Sequence, residues 1–167
     1  MRRRSWAHYL PTSLIVGLAT LGPLGRKLPA PGSWGSLAGL LWFALFFRAA
    51  GVVGSVLACA GIAWLAVGLC GEAEIRLGRR DPGMIILDEF VAMPLCFLGW
   101  PALPAAWPAW AIFLGGWILF RFFDIVKPLG IARLQALPGG WGIVLDDSAA
   151  ALATCATLHV AAWAWAW

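Results

Sequence analysis

The chain has 167 residues, 62% of them hydrophobic and only 12% charged, with a net charge of +4. A single domain of this length cannot hide so much apolar surface from water, so the chain reads as a membrane protein, and disordered, collagen-like and coiled-coil classes are excluded. Twelve Trp suit a membrane interface, and the basic excess reads as a cytoplasmic-face signature rather than nucleic-acid binding, because no basic stripe with interleaved aromatics lies outside the apolar stretches.

Arg2, Arg3 and Arg4 precede a mildly apolar run from Leu14 to Leu24 that has the look of a signal peptide. The run is interrupted by Gly17, Gly22 and Pro23, and Arg26 and Lys27 follow without a small-x-small cleavage site, so it is expected to belong to the folded domain. Next comes Pro31-Gly-Ser-Trp-Gly-Ser-Leu37. Here Ser33 or Ser36 can cap the first span, or the backbone amides can face an anion. The stretch from Ser36 to Gly71 carries only Arg48, which predicts two short helices with Arg48 at the turn between them.

Asp81-Pro82 reads as a helix N-cap followed by the first helical position, which puts Asp88 and Glu89 about two turns into a helix. Adjacent carboxylates at the edge of an apolar segment are either a solvated pair at a helix end or ligands for a hard cation. The stretch from Phe90 to Phe120 is uncharged but contains four prolines, which predicts a second hairpin of short helices. Arg121, Asp124 and Lys127 then recur at intervals of three and fan across one helix face, with Pro128 ending the helix. One acid between two bases suits phosphate handling beside a metal; it equally suits a structural ladder of ion pairs. Gly139-Gly140-Trp-Gly142 reads as a loop whose backbone can approach a ligand, and Asp146-Asp147-Ser148 as the opening of a last span that runs to Trp167. Two adjacent Asp exceed what a cap needs and fit cation ligands.

The pattern predicts an all-α architecture, a compact membrane protein of about four to five short apolar helices. All eight acids fall in two clusters, at 72–89 and 121–147. Two hairpins return both clusters and the N-terminus to one face, where eleven of the twelve basic residues gather, and the positive-inside rule makes that face cytoplasmic. The four cysteines form no CxxC pair and read as buried small side chains; Cys70 and Arg76 match the spacing of a cysteine-phosphatase loop, but Glu72 and Glu74 inside it would repel phosphate. Neither a DxDxT motif nor a Walker A loop is present, and His8 and His159 are the only histidines. A divalent-cation carrier would use the same acids, but across a pore at mid-membrane depth rather than at span edges. A purely structural subunit would not need eight confined acids.

In this order and spacing, PGSWGSL (31–37), DPGMIILDEFVA (81–92), FRFFDIVKPLGI (120–131) and GGWGIVLDD (139–147) resemble the phosphatidylglycerophosphatase A family. The resemblance runs from about Leu21 to the final helix, with residues 1–20 as a variable segment of one domain covering 1–167. It implies a Mg²⁺-dependent enzyme of the bacterial cytoplasmic membrane that converts phosphatidylglycerophosphate to phosphatidylglycerol and phosphate, its site facing the cytoplasm. Another lipid phosphate handled by the same fold is the alternative. The acidic motif residues of the resemblance fall on Asp88, Glu89, Asp124, Asp146 and Asp147, the expected metal ligands; Asp88, Glu89 and Asp124 are also expected to be catalytic, and the two acidic clusters on one face suggest that a carboxylate not fully bound to metal acts as general base. Arg121 and Lys127 are the implied substrate-binding and catalytic cations, and Ser33 joins them as a substrate-binding candidate. Glu74 and Asp81 also resemble family positions. Ser33 and Ala92 depart from the Thr and Gly frequent there. Oligomeric state is left open.

Overall fold

A computed structural model describes residues 5–167, and Arg2, Arg3 and Arg4 lie outside the described residues. The described chain is helical, without a strand. Short helices α1 (Thr12–Ala19) and α2 (Pro23–Lys27) lead into α3 (Pro31–Trp42), which continues as a π-helical turn over Phe43–Phe47. The turn containing Arg48 joins it to α4 (Val52–Leu77), as the isolated charge predicts. Next come α5 (Leu87–Ala92) with a 3-10 continuation over Met93–Phe97, then α6 (Ala109–Val126) and α7 (Gly140–Trp165). The helices α4, α6 and α7 are long and apolar enough to cross a membrane.

Local chemistry sets the boundaries. Pro31 sits at the first position of α3, where its missing N–H costs nothing. Gly78 ends α4 in the left-handed conformation at φ +65°. Lys127 takes the same conformation after α6, and Pro128 forbids continuation. Three expected boundaries shift. Neither Ser33 nor Ser36 caps α3, because the helix starts earlier, at Pro31, and the Ser36 hydroxyl donates back to Gly32 O. Asp81 is no cap either: it has φ +43°, Ile86 caps α5, and Asp88 and Glu89 fall in the first turn. Asp146 and Asp147 do not open α7, which starts at Gly140 and carries them in its second turn.

The bundle has two ends. At one, Trp100 Nε1 donates to Arg48 O at 3.0 Å, the Arg48 guanidinium lies 5.1 Å from the Trp100 ring centroid, and Trp107 meets Trp165 at 6.0 Å. The acidic segments share the other end. Between them runs an aromatic core in which Phe43 stacks on Phe97 at 4.7 Å and Phe113 meets both edge-on. A second apolar cluster, with Ile15, Ala19, Cys70 and Val144, underlies the acidic end. Ile15 and Ala19 make α1 part of this packed core, as the broken signal-like run suggests. Outward positions carry bare apolar side chains such as Leu45, Phe46, Val53, Leu57, Trp110 and Val160. In a helical bundle such a surface belongs against lipid.

Arg76 ties the N-terminal segment to α4. It binds Glu72 at 3.0 Å, the Leu10 and His8 carbonyls at 2.8 and 2.9 Å, and the Thr12 hydroxyl at 2.9 Å. That engagement leaves it no part in a phosphate loop with Cys70, whose side chain is buried. Arg76→Ala strands the buried Glu72 carboxylate, so thermal unfolding in detergent is expected to report a loss of about 3 kcal/mol. An unshifted midpoint would show that the tie is idle.

Candidate active site

The five acids reach the site from three helices, each for a local reason. Asp88 and Glu89 occupy the first turn of α5, where the positive end of the helix dipole favours acids. Their entry is fixed by Ile86, whose N–H donates to Ala19 O at 2.9 Å. Asp124 lies in the last turn of α6 and Asp146 and Asp147 in the second turn of α7. The α7 register depends on Gly140, where a side chain would overlap the Val67 carbonyl of α4. Gly140 thus serves helix–helix contact rather than a ligand, and Gly142 likewise abuts the Leu137 and Gln135 carbonyls.

These five carboxylates line one cavity of about 160 Å³ together with Lys127 and Asp81. Asp88, Glu89 and Asp147 each offer an oxygen within 4.8 Å of the others. Asp88 Oδ1, Glu89 Oε2 and Asp146 Oδ1 are buried without a hydrogen-bond partner among the described residues. Burial first, then the charge of Glu89, pushes the Asp88 carboxyl well above the usual carboxylate range. Burial and Asp147 push Glu89 up to about 8, with Arg121 opposing in part. Orphaned carboxylate oxygens on two helices, with the α5 pair reluctant to ionise, are what a hard cation would satisfy. The donor set therefore fits a metal of the Mg²⁺ kind.

The bases hold different places. Lys127 stands on the cavity wall, hydrogen-bonded to Asp146 and 3.8 Å from Asp124. Burial opposes its charge, but the Asp146 bond and the charges of Asp146, Asp147 and Asp124 outweigh it and raise its pKa. Arg121 lies outside the wall, 2.8 Å from Asp124 and 3.8 Å from Glu89. The ion-pair ladder and the site are thus one structure.

Ser33 does not line the cavity; it sits in the first turn of α3. Its neighbour Gly32 is the closer participant, since a side chain there would overlap Glu89 Oε1 and crowd Arg121 Nη1. Gly35 and Gly39 likewise admit Ile86 and Met93. The spacing of Gly32, Gly35 and Gly39 along one helix face was the sequence signal for this contact. Asp81, read as a cap, is also on the wall, and its N–H donates to Glu74 Oε1 at 3.2 Å.

The sequence model of the family described as Phosphatidylglycerophosphatase A matches residues 17–162. A Haemophilus influenzae protein named "Phosphatidylglycerophosphatase A" is 37% identical over 140 residues, 83% of this chain and 80% of the relative. One of the same name from Escherichia coli is 30% identical over 149 residues, 87% of this chain and 80% of the relative. A Bacteroides thetaiotaomicron protein named "Putative phosphatidylinositol-3-phosphatase" is 34% identical over 164 residues, 92% of this chain and 96% of the relative. No solved structure matches the chain.

Proposed function

The chain belongs to the phosphatidylglycerophosphatase A family, and from that membership we propose that this membrane phosphatase removes the terminal phosphate of phosphatidylglycerophosphate with Mg²⁺, yielding phosphatidylglycerol and inorganic phosphate. The observation that carries the metal is the set of five carboxylates on one small cavity, three of them with buried, unpartnered oxygens. Asp88, Glu89 and Asp147, with Asp124 and Asp146 beside them, would hold it. A bound cation of this kind supplies positive charge at the phosphoryl oxygens and favours ionisation of the attacking water.

The chain's own groups do the rest. Lys127, on the wall, offsets charge on a phosphate oxygen. Arg121 keeps Asp124 and Glu89 in place. A carboxylate of the cavity takes the water proton as the water oxygen attacks phosphorus. The bond from phosphorus to the glycerol oxygen breaks, and that oxygen leaves with the proton the carboxylate took up. The acyl chains stay in the bilayer beside the apolar flank. Arg76, Arg121 and Lys127 at the acidic end, against Arg48 at the other, favour a cytoplasmic site in a bacterial inner membrane.

The test is phosphate release from phosphatidylglycerophosphate in detergent micelles, with Mg²⁺ or with excess EDTA, beside phosphatidic acid and phosphatidylinositol 3-phosphate. Expected are release only with Mg²⁺, preference for the first lipid, and a higher unfolding temperature with the cation. No release by folded protein overturns the reading. Faster release from the inositol lipid, which the Bacteroides relative's name favours, moves the substrate and keeps the site.

A further inference from the structure

The acidic cavity is too small for the whole headgroup. Its 160 Å³ is room for about five waters. A phosphate, with one phosphorus and four oxygens, takes roughly half of that, and a cation with the attacking water takes much of the rest. The rest of the headgroup must lie outside, within one or two bonds of the phosphate.

A second cavity, of about 380 Å³, adjoins it. The two share Asp81 and Ile143 as wall. The second is lined also by Glu74, Arg80, Gln135 and Gly139. Arg80 is the cation of that wall. Its Nη2 donates to Gln135 O at 2.7 Å, which fixes the guanidinium and leaves N–H donors over. The wall thus carries the carboxylates of Glu74 and Asp81 together with a guanidinium. Hydroxyl groups can donate to the first, and a phosphodiester oxygen can accept from the second. Exposed Leu137 on the wall and exposed Trp141 next to Gly142 suit the level of the lipid headgroups.

We propose that this second cavity is the subsite for the hydroxylated, phosphodiester-linked part of the substrate headgroup, with Arg80 binding the phosphodiester. The proposal rests on the phosphatase reading above and deepens it. It assigns selectivity for polyol-bearing lipid phosphates to a place beside, and distinct from, the cluster of Asp88, Glu89, Asp124, Asp146 and Asp147. Phosphatidic acid, whose phosphate joins diacylglycerol directly, has nothing to put there. The lipids named for the relatives, a glycerol phosphate and an inositol phosphate, share the feature the cavity fits.

The experiment compares kcat and KM for phosphatidylglycerophosphate and phosphatidic acid, in mixed micelles at matched mole fraction, for the wild-type chain and the Arg80→Ala, Arg80→Glu and Arg80→Lys variants. Losing one charge-assisted contact is expected to raise KM for phosphatidylglycerophosphate about tenfold in Arg80→Ala and to lower the preference over phosphatidic acid by a similar factor. Arg80→Glu is expected to lose more, and Arg80→Lys to recover part. An unchanged preference in Ala and Glu overturns the subsite, and so does an equal loss on both lipids, which would mark Arg80 as a general membrane-surface charge. Failure of the parent reading shows separately, as a wild-type chain that releases no phosphate from phosphatidylglycerophosphate.

Discussion

Asp147→Asn is expected to lower turnover of phosphatidylglycerophosphate by at least about a thousandfold while making the cation-free protein more stable, not less. Both effects come from one cause. Asp147 is buried at 4% exposure and shares its cavity with Asp88, Glu89, Asp124 and Asp146. Like charges at this spacing repel, and without a cation the fold carries that strain. Asparagine keeps the shape, removes one charge, and brings an N–H donor to neighbours whose oxygens lack one. Unfolding temperature in EDTA should therefore rise, and the increment on adding Mg²⁺ should shrink. A carboxylate retained for packing alone would give the opposite pattern, with a lower midpoint in EDTA and turnover per folded molecule intact.

Gly32→Ala is expected to cost about a hundredfold in kcat, the order associated with an ångström-scale displacement at a reacting centre, although alanine is the better helix former. The added methyl group overlaps Glu89 Oε1 and crowds Arg121 Nη1. Escape by sliding α3 is resisted one turn on, where Trp117 Nε1 of α6 donates to Ser36 Oγ at 3.0 Å. The displacement therefore falls on Glu89 and Arg121. Gly17→Ala is the control: it lies within α1 with nothing inside 4 Å of the new Cβ, so activity should persist. Equal activity in the two variants would remove Gly32 from the site.

Much of this was legible from where the charges fall. Twenty charged residues in a chain otherwise apolar leave few ways to fold it in a membrane, and both acidic clusters do meet at the end away from Arg48. The motifs carrying the family resemblance held Asp88, Glu89, Asp124, Asp146, Asp147 and Lys127, all on the cavity wall. Helix registers were less legible, because the signals used were local. Asp-Pro is a good cap, yet Asp81 is turned to φ +43° in a segment anchored to α1 through Ile86. Gly139-Gly140 is good loop chemistry, yet Gly140 is helical because α7 must approach Val67 of α4. Contacts of that range have no signature within either segment. Ser33 was singled out for its hydroxyl, while the contact with Glu89 is made by the absence of a side chain at Gly32.

The belt of bare apolar side chains around α4, α6 and α7 also decides how this enzyme meets its substrate. Catalyst and lipid are both confined to one sheet of fluid, so encounter is a two-dimensional search. The quantity that sets the rate is the fraction of the leaflet made up by substrate, and diluting the vesicles in more water leaves that fraction unchanged. Diluting the substrate with inert lipid does not. A cell can thus alter flux through such an enzyme by changing the composition around it, with no change in the amount of either partner per volume.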